Sequence, residues 1–281
     1  MGGRRAGNGR GKGNTGGRVK RREVEGEDGW TVVTHGVANL HIDRRGSVSG
    51  NAAKKADAGA MPNKHSTLPP IVESITAESL LVELRKLQER WKDTAVAKQV
   101  KELVGGKGKG WDVKKAVCIG IGSFTRDWEH RWRSMWQLVL FLDIIGYLGQ
   151  VRMYAQDPAF APLDVEFLDR LDITKVDTGI ETHITPESYV FSPFVDWYIL
   201  LPIFLAEKDP ALYVGNEILD DYGAYAHSED KRKKLKECNE LGKKFLRGRE
   251  RVNLRDFENH AHALNGMVVY SKEITDDGPP T

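Results

Sequence analysis

The fold of this chain is decided by the stretch Lys115-Ala116-Val117-Cys118-Ile119-Gly120-Ile121-Gly122-Ser123-Phe124. A short continuous apolar run precedes the first glycine, and such a run, bounded by turn residues, is typical of a strand buried on both faces. Gly120 and Gly122 allow a sharp turn that leaves backbone amides exposed, the geometry that receives an anion in nucleotide-binding sheets. The full dinucleotide fingerprint has a third glycine where this chain has Thr125, so the pattern indicates a Rossmann-like turn without identifying a ligand.

Strand and helix patterns alternate around this turn. A helical period with an apolar stripe covers residues 76–104, before the central strand. Further strands are predicted at 151–155, 173–176, 189–194, 211–214 and 267–271, with helices at 165–171, 197–207 and 229–251. Such alternation implies parallel strands joined by right-handed crossovers. We therefore predict an α/β fold with a Rossmann-like three-layer core and a mostly parallel sheet.

The helix after the glycine turn is predicted to begin at Ser134, because Ser134 and Gln137 have the spacing of a capping box. Three tryptophans lie four residues apart and would share one helix face if the helix began earlier: Trp128, Trp132 and Trp136. Core packing is the default explanation of such a stripe. A stacking platform for a base or a cofactor is the alternative.

The amino-terminal region is expected to be a disordered tail and linker over residues 1–70, with a short β-prone island at 28–36. From Met1 to Arg22 the chain is nearly all Gly, Arg, Lys and Asn without an acidic residue, and it cannot bury enough apolar surface to offset its ordering entropy. Clustered basic residues favour RNA phosphates or nuclear-import receptors, and a solvated tail is the alternative. The folded domain is expected at 71–274, followed by a tail at 275–281.

Composition excludes several classes of protein. The 281 residues carry a net charge of +2 with 29% charged residues, so the whole molecule is not a polycation that coats nucleic acid or an anionic membrane. Two cysteines, Cys118 and Cys238, are too few for a disulfide framework and indicate a reducing compartment. The apolar runs are shorter than a membrane span, and the basic amino terminus lacks the apolar core of a secretory signal. We therefore expect a soluble, intracellular protein.

The candidate ligand site consists of Gly120, Gly122, Ser123 and Asp157. Asp157 follows the second predicted strand of the sheet, and in doubly wound folds an acid at this place accepts a hydrogen bond from a ribose hydroxyl. It lies further from the glycines than the usual ~20 residues. The alternative is an Asp-Pro turn in which the carboxylate accepts hydrogen bonds from backbone amides. The sequence identifies neither a catalytic set nor a cofactor.

Two further clusters have both a functional and a simpler interpretation. Basic residues dominate the segment 229–251, which is usual for a solvated helix face, with a phosphate-binding patch as the alternative. His260 and His262, with Asp256 and Glu258, have side chains that bind metals. Alternating polar residues in a loop explain this second cluster more simply, and no metal site is predicted.

Several segments, in this order, resemble the sensitivity-to-red-light-reduced-like (SRR-like) domain family. The resemblance covers roughly residues 111–223 and rests on Trp30-Thr31-Val32-Val33, which lies outside that range, then on Val117-Cys118-Ile119-Gly120-Ile121-Gly122-Ser123, Gln137-Leu138, Asp143, Asp157-Pro158-Ala159-Phe160 and Gly215-Asn216. Family members typically carry a Pro-His-Cys-like step where this chain has Ser192-Pro193-Phe194-Val195. Phe194 can neither shuttle a proton nor bind a metal, which puts in doubt any chemistry of the family at that position.

This resemblance implies a regulatory role. Relatives are linked to circadian timing and light signalling in plants, and to clock-gene expression and haem biosynthesis in animals, with cytoplasmic and nuclear residence. We therefore expect a non-enzymatic regulatory protein that acts through protein partners, with weak nucleic-acid contact through the basic tail as an additional hypothesis. The alternative is a nucleotide- or S-adenosylmethionine-binding enzyme of methyltransferase type, with cofactor amides at Gly120 to Ser123 and a ribose at Asp157.

Overall fold

The computed structural model describes residues 21–25, 31–35, 68–106, 111–126 and 130–272. The chain divides into two compact units, Met1–Ser66 and Thr67–Thr281. In the first unit, β1 (Arg21–Glu25) pairs antiparallel with β2 (Thr31–His35). The predicted island therefore contributes β2, whereas Arg21 and Arg22, predicted to be disordered, belong to β1. Predictions for the rest of the basic tail, the linker to residue 67, Trp128 and the carboxyl-terminal tail lie outside the described residues.

The second unit alternates helices and strands. Two π-helical turns, Lys101–Gly105 and Leu200–Leu205, directly follow the short helices Ala95–Val100 and Trp197–Ile199. The helices are α1 (Ala77–Trp91), α2 (Ala95–Val100), α3 (His130–Leu148), α4 (Pro162–Asp169), α5 (Trp197–Ile199), α6 (Glu229–Leu246) and α7 (Ala261–Leu264). The strands are β3 (Lys115–Ile119), β4 (Arg152–Gln156), β5 (Ile173–Lys175), β6 (Ser188–Ser192), β7 (Leu212–Gly215), β8 (Arg249–Asn253) and β9 (Val268–Lys272).

These strands form one seven-stranded sheet in the order β5-β4-β3-β6-β7-β9-β8. The five strands from β5 to β7 are parallel, and β9 lies antiparallel to both of its neighbours. The chain order reverses at β3, because β4 and β5 extend to one side of it and β6 and β7 to the other. The predicted α/β fold with a mostly parallel sheet is confirmed.

Helices cover both faces of the sheet. On one face, a continuous hydrophobic cluster joins strand residues such as Cys118 and Phe191 to the buried faces of α1, α2, α3 and α7. On the other face, Tyr213 and Tyr270 pack edge-on against Phe245 of α6, with ring centroids 5.6 and 5.7 Å away. The three layers give the sheet two buried faces, which explains the uninterrupted apolar sequence of β3.

Helix α3 begins at His130, one turn before the predicted start. Ser134 therefore lies inside the helix, where its side chain is buried rather than exposed as an N-terminal cap. The earlier start places Trp132 and Trp136 on one helix, and both belong to or pack against the hydrophobic cluster of the first face. Core packing, the default explanation of the tryptophan stripe, is the arrangement that these two residues adopt.

The prediction of a long basic helix at 229–251 is confirmed for 229–246 and is wrong for 247–251. Helix α6 ends at Leu246, Gly248 takes a left-handed conformation with φ +64°, and the chain continues as β8. Because β8 pairs with β9 along its whole length, tertiary pairing outweighs the high charge of the segment. None of the described helices is long and apolar enough to span a membrane.

Candidate functional site

The candidate site lies at the carboxyl ends of β3 and β6, where the strand order reverses. In open α/β sheets, ligands bind in the crevice outside the carboxyl ends of the strands at this position. The loop 120–126 follows β3 on one side of the crevice, and Ser192-Pro193-Phe194 leads out of β6 on the other. The topology therefore puts the predicted glycine turn at the expected place in the fold.

Both glycines of the turn are required by their surroundings. Gly120 and Gly122 have φ angles of +73° and +81°, which side chains rarely adopt. A Cβ atom on Gly120 would lie 2.8 Å from Cγ2 of Val195, and one on Gly122 would lie 2.9 Å from Oγ of Ser134. The turn is thus packed between the segment after β6 and helix α3, and substitutions at either glycine are both strained and crowded.

Asp157 accepts a hydrogen bond from an amide that the glycine turn would otherwise offer to an anion. Its Oδ2 accepts a hydrogen bond of 2.7 Å from the N–H of Gly122, and its Oδ1 accepts one of 2.8 Å from the N–H of Ala159. The structure thus brings the predicted residues Gly122 and Asp157 into direct contact. This is the geometry of the simpler alternative, in which the carboxylate holds backbone amides at an Asp-Pro turn.

The surroundings of Asp157 raise its pKa to about 6, chiefly through burial. Its two backbone hydrogen bonds lower the pKa, the charge of Asp164 raises it, and the charge of Arg133 lowers it. Asp157 therefore changes its charge near neutral pH, unlike an ordinary exposed aspartate.

A second carboxylate, Asp164, holds the other half of the loop. Its side chain is completely buried. Oδ1 accepts a hydrogen bond of 2.8 Å from the N–H of Phe124, and Oδ2 accepts bonds of 2.7 Å from the hydroxyl of Ser123 and from the N–H of Ala161. Burial raises the pKa of Asp164, and these hydrogen bonds oppose that effect.

Sequence reasoning missed Asp164, although one signal was present. Asp164 is the third residue of α4, which begins at Pro162, and proline followed by an acid in the first turn is typical of a helix start. The predicted start of this helix, Val165, placed Asp164 outside it. What the sequence does not contain is the contact between this helix end and Ser123, 41 residues earlier.

Arg133 is the basic residue of the crevice whose charge reaches Asp157. It lies in the first turns of α3, and its guanidinium stacks 4.3 Å from the ring centroid of Phe194. Phe194 thus packs against a cation across the crevice. An aromatic face and a guanidinium favour each other in this geometry, with a free energy on the order of 1 kcal/mol.

The other predicted functional groups do not converge on this site. Cys118 and Cys238 are buried free thiols, and burial raises the pKa of both, which makes thiolate chemistry unfavourable. In the described part of the chain, no group of three or more His, Cys, Asp and Glu residues is arranged to hold a metal ion. The histidine cluster at 256–262 is thus not assembled as a metal site within those residues.

The basic face of α6 is largely compensated by neighbouring groups. Lys233 and Lys243 pair with acids of their own helix, and Lys244 pairs with Glu207 at 2.7 Å. Lys231 and Lys234 lie over the ring of Tyr198, 5.0 and 5.8 Å from its centroid. These contacts favour the solvated-face interpretation of the segment over the phosphate patch.

Comparison with known protein families shows to which family this chain belongs. Its sequence matches the SRR1 domain over residues 84–271, which is more than half of the 281 residues. The chain belongs to the SRR1 domain family. The match covers the whole sheet from β3 to β8 and nearly all of β9, and it includes the glycine turn and both carboxylates.

Two further comparisons complete this result. No curated protein sequence matches the chain. Among solved structures, the crystal structure of cofactor-bound Rv0187 from MTB is similar over 69% of this chain and 89% of its own length, with 13% identity and a TM-score of 0.36. We draw no conclusion about the SRR1 domain from a likeness at this level.

Proposed function

We propose that this SRR1-domain protein is a regulatory protein without enzymatic turnover, which acts through protein partners in the cytoplasm or nucleus. Gene expression, circadian or light signalling and the control of haem biosynthesis are the processes that the family relationship suggests. The observation that carries the proposal is the hydrogen bond from Gly122 to Asp157. In the turn that would bind a phosphate in a dinucleotide enzyme, the Gly122 amide is thus occupied by the protein's own carboxylate.

Electrostatics argue against a phosphate at this turn. An incoming phosphate would have to displace the Asp157 carboxylate from the Gly122 amide, or else lie next to it. Two like unit charges about 4 Å apart repel by about 4 kcal/mol at an effective dielectric constant of about 20. Because the pKa of Asp157 is about 6, protonation of this carboxyl limits the cost to about 1.4 kcal/mol for each pH unit above 6. At about pH 8 the cost therefore matches the roughly 1.5–3 kcal/mol that one hydrogen bond to a charged group contributes.

The chemical inventory of the crevice supports the same proposal. Phe194 has no proton to transfer. The hydroxyl of Ser123 donates to Asp164, and its oxygen accepts the N–H groups of Thr125 and Arg126 at 3.1 and 3.0 Å. Because both lone pairs of this oxygen accept hydrogen bonds and the residue is buried, Ser123 holds the loop and is not free to attack a substrate.

A second candidate function is the binding of S-adenosylmethionine. The specific observation in its favour is the reversed strand β9 between β7 and β8, an arrangement typical of S-adenosylmethionine-dependent methyltransferases. This is an analogy of fold. Each oxygen of Asp157 keeps lone pairs beyond its one hydrogen bond, and these would accept hydrogen bonds from ribose hydroxyls, which are neutral.

A thermal-shift screen separates the two proposals. The purified chain is melted with S-adenosylmethionine, its demethylated product, nicotinamide dinucleotides and free nucleotides, each in excess. We expect no ligand to raise the melting temperature. A ligand present at about 100 times its dissociation constant would add about 2.7 kcal/mol of stability. For a domain of this size, the melting temperature would rise by about 5–10 °C.

Two variants show what a positive result would mean. Asp157→Asn removes the charge at the site, whereas Asp169→Asn makes the same chemical change at an exposed position of α4. A shift with S-adenosylmethionine that disappears in Asp157→Asn and persists in Asp169→Asn would replace the regulatory proposal with the methyltransferase-type one. A shift with a dinucleotide or a free nucleotide would contradict the electrostatic argument.

A further inference from the structure

An open pocket of about 300 Å³ lies beside the amino end of β7, whereas the glycine turn follows the carboxyl end of β3. It is formed by the loop 205–209, which leads into the amino end of β7, and by the last turns of α6. Its volume is at the lower end of the range of small-molecule sites, roughly 300–1,000 Å³. Neither the SRR1 family relationship nor the proposed function assigns a role to this pocket.

The pocket has an apolar wall that is part of the folded core. Leu205 and Phe245 are 6% and 7% exposed, and Leu241 is half-buried beside them. These side chains come from two different elements, the π-helical turn after α5 and helix α6, which pack against each other. The wall therefore exists before any ligand arrives.

Ion pairs connect the loop 205–209, which forms one wall of the pocket, to neighbouring elements. Glu207 and Asp209 take left-handed conformations with φ of +57° and +47°. Glu207 pairs with Lys244 at 2.7 Å, and Asp209 pairs with Arg249 at 2.5 Å and with Lys272 at 2.8 Å. Each acid is thus paired with a cation from another element, so neither is left to oppose an anion in the pocket without a partner.

Positive charge is in excess around the pocket. Lys208 and Arg247 line it and have no ion pair within the described residues, while both lining acids are already paired. Lys208 is half-buried, and a lysine in such a position commonly packs its aliphatic stem against the protein while its ammonium group stays in solvent. The carboxyl end of α6 contributes an opposing partial charge of about −0.5, which is smaller than the two unpaired cations.

We propose that this pocket binds a small amphipathic anion, an apolar body that carries one carboxylate, phosphate or sulfonate group. The apolar body packs against Leu205, Leu241 and Phe245. The anionic group pairs with Lys208 and Arg247. Because the pocket lies at the amino ends of the parallel strands and the glycine turn at their carboxyl ends, this site is independent of the proposed closure of the turn by Asp157.

Two fluorescent probes with the same apolar body test the proposal. 8-Anilinonaphthalene-1-sulfonate carries the anionic group, and N-phenyl-1-naphthylamine lacks it. Both are titrated into the full chain and into the variant Lys208→Gln/Arg247→Gln. We expect the sulfonate probe to bind one site in the wild-type chain and to bind about tenfold more weakly in the variant, since two rim charges contribute on the order of 1.4 kcal/mol. The neutral probe should bind both proteins equally.

Two control variants make the result decisive. Arg85→Gln/Lys86→Gln removes two exposed charges from α1 and should leave both affinities unchanged. Leu241→Trp fills the pocket and should abolish the binding of both probes while circular dichroism shows native structure. The proposal fails if the sulfonate probe binds Lys208→Gln/Arg247→Gln as tightly as wild type, if the α1 variant loses as much affinity, or if Leu241→Trp leaves both probes bound.

Discussion

Replacing Asp164 with alanine is expected to lower the free energy of unfolding by about 3–5 kcal/mol. The variant leaves the amides of Phe124 and Ala161 and the hydroxyl of Ser123 without their acceptor in a fully buried position. Each buried donor without a partner costs about 1–3 kcal/mol. Relief from burying the carboxylate offsets only part of this sum.

Urea unfolding at constant m-value measures the effect of Asp164→Ala. The control is Asp169→Ala in the same helix, whose exposed carboxylate lies outside the loop network, and its effect should stay within about 0.5 kcal/mol. A loss below about 1 kcal/mol in Asp164→Ala would mean that this carboxylate does not hold the glycine loop. The closure of the turn would then depend on Asp157 alone.

Replacing Gly242 with alanine is expected to destabilise the protein by about 2–4 kcal/mol. A Cβ atom at this position of α6 would overlap the carbonyl oxygen of Leu219, in the segment after β7. Because the obstructing atom belongs to the backbone, the helix must move away from that segment. A thermal melt should show a fall of about 5–15 °C.

Gly146→Ala in α3 is the matched control for this prediction. A Cβ atom there would meet nothing within 4 Å, and the residue is exposed. Since alanine favours a helix interior over glycine by about 1 kcal/mol, this variant should be neutral or slightly more stable. Equal shifts in the two variants would show that α6 does not pack closely on the segment after β7.

The architecture could be predicted from the sequence because it rests on local patterns. The buried run before Gly120 and the alternation of later strands and helices specified the parallel core correctly. Patterns of this kind reflect burial on one or two faces, and burial is what the three layers provide. The reversal at β9 was not predicted, because the direction of the last strand depends on the path of the chain between β7 and β9.

The wrong or missing predictions share a physical cause, which is contact between segments that are distant in sequence. Arg249 to Asn253 is too charged to predict a strand, yet pairing with β9 makes it one. Ser134 has the spacing of a helix cap, yet it packs against Gly122 inside α3. The helix start at Pro162 signals a capping role for Asp164 but not its bonds to Ser123 and Phe124, which reach it only after folding.

The two alternatives at Asp157 could not be separated from sequence for a related reason. An acid after the second strand of a doubly wound sheet accepts either a ribose hydroxyl or a backbone amide, and the residue type is the same. The local geometry, with both oxygens on amides, matches the second alternative. Whether a ligand also reaches the outer lone pairs is the question that the ligand screen addresses.

The closure of the glycine turn by Asp157 is tested most directly by nuclear magnetic resonance of the Gly122 amide. We expect the amide proton signal of Gly122 to shift with pH along a titration curve whose midpoint is near the pKa of Asp157, about 6, because its acceptor gains a proton in that range. The same signal should be independent of pH in Asp157→Asn. A Gly122 signal that does not move between about pH 4 and about pH 8 in the wild-type chain, and that Asp157→Asn also leaves unchanged, would contradict this closure.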